Sequence, residues 1–402
     1  MEKLQTLTKS RRRYAVFAAA ALLAVSCPNT LYADGDTVTS YLTGQQVSAD
    51  QGRRRPVSFM IDNVSDSVPQ SGIGSADIYY ECEVETDLSR ICAVFENYDS
   101  LDKIGPLRSC RDYFISLTAG LDVIYEHYGQ AAYALPYLES DEVDNISAMM
   151  SYATEFYRDG PHEAPHNAYV SGYGMNAMIA EVGYDEAYPD DFSPMYQFAC
   201  DGEEVTNDGG SAAAYVEIGY PFNKPHFEYN EETGLYYRWQ YGDWQIDYET
   251  DEVLSVKNII LEYENGTVYQ DSSYLHYETT GSGRGKYITD GKAVDITWER
   301  DDFYSPVIYR LEDGTELTLN QGKTWVSVIR NNQIDQCLIG SSEDKLSCVI
   351  PEDEVSAVMA EAEEWIAEYK AGENEYLTGM AQIRTENLEK HGGETKVEPN
   401  LP

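Results

Sequence analysis

The chain has 402 residues and a formal net charge of −42, because 70 Asp and Glu side chains outnumber 28 Lys and Arg side chains. A surface this acidic repels a phosphate backbone, which excludes nucleic acid as a partner, and it disfavours flat contact with anionic lipid headgroups. The length is sufficient for two domains of ordinary size. The 34 tyrosines and 30 glycines favour strands and turns over a helical bundle.

The amino-terminal 33 residues have the layout of an export signal. Five basic residues among the first 13 precede an apolar run at 14–26. This run is too short for a membrane-spanning helix, which needs about 20 residues. The run leads into Cys27 in the sequence LAVSC, which is similar to a lipobox and predicts a lipid on Cys27. Cleavage after Ala33, giving a secreted protein, is one alternative, and an uncleaved anchor is another. All three place the rest of the chain outside the cytoplasmic membrane, with membrane contact through the anchor alone.

The first part of the mature chain predicts a tether followed by an α/β domain. Residues 34–52 are polar and lack periodicity, as expected of a tether. For 53–195 we predict a mixed α/β domain, because strand signals alternate with helix signals. Ser109 is the predicted N-cap of a helix between two of the strands. The strand and helix signals are PVSFMIDN, the hairpin IYYECEVE–RICAVFE, DVIYEHYG, AAYALPYL and NAMIAEVG.

The second part of the mature chain has a different pattern, in which strand signals predominate. Residues 210–335 predict a mainly antiparallel β domain, because short strands are separated by hairpin turn signals. These signals are Asn265-Gly266, Asp290-Gly291 and Asp313-Gly314. Apolar residues at helical spacing then predict a helical extension at 351–390, and a disordered tail is expected at 391–402. The predicted fold class is therefore α+β or α/β, with an N-terminal mixed domain, an antiparallel β domain and a C-terminal helical extension.

Beyond Cys27 the chain has six cysteines, an even number that permits disulfides outside the cytoplasm. Cys82 and Cys92 flank the predicted hairpin and are one candidate pair. Cys337 and Cys348, which can close a short loop, are another, and free thiols are the alternative. No CxxC, GxSxG or P-loop motif occurs, so we predict no metal and no cofactor.

Several stretches of the first domain resemble the N-terminal domain of the YerB-type lipoproteins, a family of exported bacterial proteins that is defined by a domain of unknown function. They include PQSGIGSADIYYECEVETDLSRICAVF, KIGPLRSCRDYFISL and FYRDGPHEAPHNAYV. The second domain is similar to the C-terminal domain of that family through YYR, DGKAV and GKTWV. The resemblance implies a role in the cell envelope, linked to wall synthesis or remodelling, and it implies no particular reaction.

The segment GPLRSCR is the best candidate for a ligand site. Arg108, Ser109 and Arg111 are predicted at a helix N-terminus, where free N–H groups and the helix dipole favour anions. Two guanidinium groups there suit a carboxylate or a phosphate. The alternative is that the two arginines pair with Glu81 or Glu85 inside the fold. Further candidates for the same ligand are Arg90, Arg158, His166 and Asn167.

Three residues are candidates for catalysis. Period-two spacing predicts Glu81 and Glu85 on one face of a strand, where two carboxylates can act as acid and base on a glycosidic bond. Arg90 on the partner strand can pair with one of them, and the alternative to catalysis is an exposed acidic strand. His127 ends an apolar strand, and ligands of open α/β sheets bind beyond the carboxyl ends of strands. A structural histidine is the alternative there.

These candidates lead to three hypotheses. The first is an exported, lipid-anchored envelope protein that binds an anionic cell-wall fragment or an envelope partner as an accessory factor in wall metabolism. The second is a peptidoglycan-cleaving enzyme, a glycosidase or lytic transglycosylase that uses Glu81 and Glu85. The third is a non-catalytic scaffold lipoprotein.

Overall fold

The computed structural model describes residues 37–269 and 272–341. The predicted export signal with Cys27, the predicted helical extension at 351–390 and the predicted tail at 391–402 lie outside this part of the chain. Strands predominate over helices in it. None of its helices is long and apolar enough to cross a membrane.

The helices of the described part are short. They are α1 (Ala49–Gly52), α2 (Asp112–Ala119), α3 (Leu135–Leu138) and α4 (Gly172–Val182). Turns of 3₁₀ helix lie at Ser65–Ser67, Ile73–Ser75, Glu85–Asp87, Ala132–Ala134 and Ile334–Gln336.

The strands of the N-terminal region are β1 (Thr37–Thr39), β2 (Gln46–Ser48), β3 (Val57–Asp62), β4 (Ile78–Glu83), β5 (Ser89–Phe95), β6 (Ile124–His127), β7 (Asn145–Ser147), β8 (Tyr157–Arg158), β9 (Ala168–Tyr169) and β10 (Gln197–Phe198). Those of the C-terminal region are β11 (Ser211–Ala212), β12 (Tyr215–Glu217), β13 (His226–Asn230), β14 (Leu235–Gln240), β15 (Asp243–Trp244), β16 (Ser255–Val256), β17 (Asn258–Glu264), β18 (Gly266–Val268), β19 (Leu275–Tyr277), β20 (Gly281–Thr289), β21 (Lys292–Arg300), β22 (Ile308–Leu311), β23 (Thr318–Leu319), β24 (Thr324–Arg330) and β25 (Leu338–Gly340).

One large mixed sheet extends through both regions. Its strands run in the order β11-β21-β20-β17-β24-β4-β5-β3-β6-β7, and β22 also pairs with β21. Pairing is parallel for β17–β24, β24–β4, β3–β6 and β6–β7, and antiparallel for the other pairs of this sheet. Because β24 lies beside β4, the C-terminal region continues the sheet of the N-terminal region.

Other elements cover both faces of the sheet at its central strands. This explains why the sequences of β3, β4 and β5 are nearly continuous apolar runs. On one face, Tyr80 and Cys82 of β4 share a core with α2. On the other face, Tyr79 stacks on Trp325 of β24 with ring centroids 4.5 Å apart. This second core also includes residues of α4 and of a six-stranded sheet, ordered β15-β14-β13-β12-β25 with β16 beside β14.

Turn chemistry predicted part of this topology. The hairpin of β4 and β5 is confirmed, with Asp87 at a φ of 59° in its turn. The turn between β20 and β21 is also confirmed, since Asp290 and Gly291 have φ values of 50° and 70°. The hairpin predicted at Asn265-Gly266 is wrong, because β18 leaves β17 and pairs with β19.

Two predictions near the first domain need correction. Helix α2 begins at Asp112 with Arg111 as its N-cap, so Ser109 precedes the helix. The backbone of 108–110 is held elsewhere: the N–H of Arg108 donates to the carbonyl of Met60 at 2.8 Å. Residues 37–52, predicted as tether, instead form the β1–β2 hairpin and α1, and Leu42 between the two strands is fully buried.

A buried ion pair joins the two regions. Glu81 on β4 accepts two hydrogen bonds from Nη2 of Arg238 on β14, at 2.9 and 2.8 Å, and neither side chain is exposed. Asn63 and Asn223 also donate to Glu81 Oε1, at 3.2 and 3.0 Å. The guanidinium lies 4.1 Å from the ring centroid of Trp325. Such a pair fixes relative position, because either charge alone would be buried without compensation.

We predict that Arg238→Ala lowers the free energy of unfolding by about 3–5 kcal/mol, because Glu81 keeps a buried charge without its partner. Urea denaturation followed by tryptophan fluorescence measures the loss.

The matched control is the ion pair of Lys286 and Asp295, 2.7 Å apart, in which the Asp295 side chain is 64% exposed. Asp295→Ala should cost about 0–1 kcal/mol. Equal losses in the two variants would contradict the role given to Arg238.

Candidate functional site

The candidate site lies where β3 ends, around the carboxylate of Asp62. Arg108 Nε is 3.2 Å from Asp62 Oδ2, and His166 Nδ1 is 2.7 Å from the same oxygen. Arg90 of β5 stands opposite Asp62 in the antiparallel register. All four side chains are buried. Burial alone would raise the pKa of Asp62, but the charges of Arg108, His166 and Arg90 outweigh it and hold that pKa well below its usual value.

An extended segment brings Arg108 to this position. Leu107 forms a bridge with Ile61 of β3, and its N–H donates to the carbonyl of Ala168 at 2.7 Å. Gly105 has a φ of 145°, and a Cβ there would lie 2.7 Å from the same carbonyl oxygen, so only glycine fits. The segment with Arg108 and the segment with His166 are therefore held side by side against the end of β3.

Arg111 and Glu85 form a bidentate ion pair next to this site. Arg111 Nε and Nη2 donate to the two carboxylate oxygens of Glu85 at 2.6 and 2.5 Å. Burial tends to raise the pKa of Glu85, but Arg111 overcomes that effect and lowers it. The carbonyl of Ser109 accepts from Arg90 at 2.6 Å and from Arg111 at 3.2 Å. We call Arg90, Arg108 and Arg111 the arginine cluster.

The other predicted residues border this cluster. The Ser109 hydroxyl donates to the carbonyl of Tyr128 at 3.2 Å. Arg158 lies 5.0 Å from the ring centroid of Tyr128 and donates to Asn167 Oδ1 at 2.8 Å. Ser109, Arg158 and Asn167 are half-buried. They form an accessible rim beside the buried arginines.

His127 is the last residue of β6, and it contacts the same backbone carbonyl as the segment that follows Ser109. Its Nδ1 is 2.7 Å from the carbonyl oxygen of Gly129, and its Nε2 is 3.4 Å from Asn145 Oδ1. The same carbonyl accepts from the N–H of Cys110 at 3.0 Å. Burial lowers the pKa of His127, although these two contacts oppose that effect. Each ring nitrogen faces an acceptor oxygen inside the fold, which favours a structural role.

The two predicted catalytic glutamates do not share a face. Strand β4 ends at Glu83, and Glu85 begins a 3₁₀ turn, so the period-two spacing stops before Glu85. Glu81 binds Arg238 whereas Glu85 binds Arg111. The predicted alternative of an exposed acidic strand is also wrong, since the exposed fractions of Glu81 and Glu85 are 0% and 4%. The alternative of arginine pairing is confirmed for Arg111 and Glu85.

Residues 162–166 have the spacing of the zinc-binding motif HExxH, which our sequence analysis missed. That motif requires a helix, which presents both histidines on one side. The segment here forms turns, with His162 Nε2 3.1 Å from the carbonyl oxygen of Pro69 and His166 at Asp62. Within residues 37–269 and 272–341, no group of three or more metal-ligating side chains occurs.

The family follows from comparison with known proteins. Residues 42–185 match the model of the N-terminal domain of a protein of unknown function, DUF3048, and residues 216–326 match its C-terminal domain. The chain belongs to the DUF3048 family. Asp62, the arginine cluster and His166 all lie in the part matched by the N-terminal model, and Arg238 lies in the part matched by the C-terminal model.

Two similarities to Bacillus subtilis support this assignment. The chain is 25% identical over 288 residues to "Putative lipoprotein YerB", covering 72% of this chain and 85% of that protein. Its fold is similar to the crystal structure of YerB protein, with a TM-score of 0.66 and 24% identity, over 76% of this chain and all of that one. This DUF3048 member is thus a homologue of a protein named as a lipoprotein.

The predicted disulfides of this family member are wrong. Cys82 and Cys92 are buried free thiols, because the register places Cys82 opposite Arg90 and Cys92 opposite Tyr80. Cys337 is also free, which removes the predicted pair with Cys348. Cys200 is disulfide-bonded.

We predict that Asp62→Asn destabilises the protein at pH 7 and that the difference from the wild type shrinks as the pH falls below about 4. The folded pKa of Asp62 is depressed. Its contribution is therefore complete above the unfolded pKa and is lost as the pH falls through the folded pKa. Urea unfolding of both proteins at pH 7 and pH 3 measures it.

The exposed Asp295→Asn serves as a control and should stay within about 0.5 kcal/mol of the wild type at either pH. A difference for Asp62→Asn that is equally large at pH 3 would show that the carboxylate charge contributes nothing.

Proposed function

We propose that this protein is an exported, lipid-anchored envelope protein that binds an anionic cell-wall fragment as an accessory factor in wall metabolism. The arginine cluster is the proposed ligand site. The observation that carries the proposal is the convergence of Arg90, Arg108 and Arg111 with His166 at the carboxyl end of β3, in a chain with a net charge of −42.

Arginine chemistry indicates the class of ligand. Planar guanidinium groups bind carboxylates and phosphates through paired hydrogen bonds, and Arg111 already binds Glu85 in this way. A carboxylate or phosphate of a wall fragment would use the same geometry. The ends of β3 and β6, which run parallel, are also where ligands of such sheets bind.

His166 supports a polar ligand at this position. Its Nδ1 lies at Asp62 Oδ2, while Nε2 has no hydrogen-bond partner among the residues of 37–269 and 272–341. The side chain is 2% exposed. A buried ring nitrogen without a partner costs free energy, and a ligand oxygen that hydrogen-bonds to it removes that cost.

The rim offers an approach to the site. Ser109, Arg158 and Asn167 are half-buried and carry hydroxyl, guanidinium and amide groups. A polar rim around the buried arginine cluster, which forms the floor of the site, is suited to hydroxyl-rich ligands. Each ligand hydroxyl needs a hydrogen-bond partner when it loses water. A sugar that carries an acidic substituent satisfies both requirements.

The geometry offers less support for a glycosidase. That reaction needs two carboxylates across one cleft, one of which is protonated near neutral pH. Glu81 and Glu85 each have a different arginine partner, and the pKa of Glu85 is lowered.

The test is co-sedimentation of the mature chain with purified peptidoglycan at low salt. We expect saturable binding that weakens as salt is added. Arg158→Ala at the rim and Arg108→Lys at the floor should each weaken it roughly 10–100-fold, since each loses charge-assisted hydrogen bonds worth about 1.5–3 kcal/mol. Melting temperatures establish that the variants fold.

The matched control is Arg310→Ala, which removes a half-buried arginine from β22 and should leave binding unchanged. Release of muropeptides that stops in Glu81→Gln or Glu85→Gln would favour the enzyme. An absence of binding would overturn the proposed ligand and leave the scaffold.

The proposed lipid anchor at Cys27 is tested separately. We expect incorporation of labelled palmitate, with Cys27→Ser abolishing the label and releasing the protein from the membrane fraction. Cys110→Ser is the control, because Cys110 is a buried thiol whose pKa burial raises to about 12, and its loss should leave labelling intact. Label that persists in Cys27→Ser would contradict lipidation at this cysteine.

A further inference from the structure

A second polar cluster, separate from the arginine cluster, lies at the end of β17. Glu262 and Glu264 are on the same face of this strand, with exposed fractions of 0% and 1%. They share one cation, Arg300 of β21, whose nitrogens lie 3.5 Å from Glu262 Oε1 and 3.7 Å from Glu264 Oε1. The Tyr309 hydroxyl donates to the other oxygen of Glu262.

This cluster contains buried polar atoms that lack hydrogen bonds. With both glutamates ionised, both carboxylate oxygens of Glu264 and Oε1 of Glu262 have no hydrogen-bond partner within the described part of the chain, and neither has the hydroxyl of Tyr277. A proton on one glutamate would let Glu262 and Glu264 share a hydrogen bond. Two carboxylates beside one guanidinium also leave an excess negative charge. Such an excess inside a protein must be neutralised, either by a proton on one carboxylate or by a bound cation.

A pocket opens directly beside Glu264. The ladder between β17 and β20 ends at the pair Glu262 and Gly285, and the strands separate beyond it. The gap has a volume of about 290 Å³. Its lining includes Glu264, Glu278, Thr280, Ser282, Arg284 and Trp298.

The indole of Trp298 forms one wall. It packs over Gly283, where a Cβ would lie 2.4 Å from the indole nitrogen, and that nitrogen donates to the carbonyl of Tyr263 at 3.1 Å. The ring is therefore fixed in place in the pocket that Glu264 also lines. An aromatic surface beside a carboxylate is a setting that attracts organic cations.

We propose that this pocket binds a primary alkylammonium group, with Glu264 as its counter-ion. A metal ion fits less well, because no set of three metal-ligating side chains occurs in 37–269 or 272–341. The three N–H donors of an ammonium match the carboxylate of Glu264 and the hydroxyls of Thr280 and Ser282. The group can belong to a free amine or to a lysine side chain of a partner, and this proposal does not depend on the anion site.

The charges around Glu264 predict how binding depends on pH. Burial and then Glu262 raise its pKa well above the usual value, and Glu278 adds to this, while Arg300 opposes them. A raised pKa means that a proton on Glu264 competes with an entering ammonium, so binding should become tighter as the pH rises. Arg284, which is exposed, also lines the pocket and repels the ligand to a degree that salt screens.

The test titrates the full mature chain with n-butylammonium chloride by ligand-observed NMR at pH 6 and pH 8.5. The amine stays charged at both pH values, since the pKa of an alkylamine such as lysine is about 10.4. We expect millimolar affinity that is several-fold tighter at pH 8.5. Tetramethylammonium, which has no N–H donor, should bind at least tenfold more weakly, and a lysine-containing tripeptide that binds more tightly would indicate a protein partner.

Three variants make the test specific. Glu264→Gln, close in shape to the protonated side chain, should fold and lose binding. Glu278→Gln at the exposed rim should weaken it several-fold. Glu299→Gln changes an exposed residue on β21, one position from Trp298, and should have no effect.

Equal affinity in Glu264→Gln and the wild type would overturn the proposal. The same conclusion would follow from the absence of binding at an amine concentration about tenfold above a millimolar dissociation constant, or from tetramethylammonium binding as tightly as n-butylammonium. Calcium that binds the wild type more tightly than the amine would assign the pocket to a metal instead.

Discussion

The buried ion pair of Glu81 and Arg238 is the contact on which the arrangement of the structure depends. It lies between β4 of the N-terminal region and β14 of the C-terminal region, and neither charge is exposed to water. Because each charge needs the other, the six-stranded sheet must lie where Arg238 reaches β4. The same C-terminal region supplies β24, which pairs with β4 and completes the large sheet. The Glu81 side chain points to the face of the large sheet that packs against the six-stranded sheet. The arginine cluster lies on the opposite face, at the end of β3.

So acidic a chain must bury several carboxylates, and some of them are neutralised by one arginine each. Asp62 has Arg108, Glu85 has Arg111, and Glu83 has Arg330 at 2.8 Å. The pairing is not always sufficient, since burial still raises the pKa of Glu83 to about 7. Glu262 and Glu264 depart from the pattern because they share Arg300. That departure distinguishes a candidate cation site from carboxylates that serve the fold.

Local features of the fold could be predicted from the sequence, whereas distant pairings could not. Alternation and turn residues predicted the β4–β5 hairpin and the turn at Asp290 and Gly291. Nothing local marks the pairing of β24 with β4, or the partner of Glu81, which lies 157 positions away. Ser109 has the residue type of an N-cap, but tertiary hydrogen bonds to its neighbours keep the segment extended. The candidate site was predicted in part: the arginines and His166 do converge, whereas Asp62, marked only by its place at the end of an apolar strand, was missed.

Whether the arginine cluster binds anions can be seen in a crystal structure of the mature chain grown with an acidic peptidoglycan fragment. We expect a carboxylate or phosphate of the fragment within hydrogen-bond distance of Arg108, with a ligand oxygen at His166 Nε2. A fragment bound elsewhere on the protein, with Asp62, Arg108 and His166 in their present contacts, would contradict this expectation.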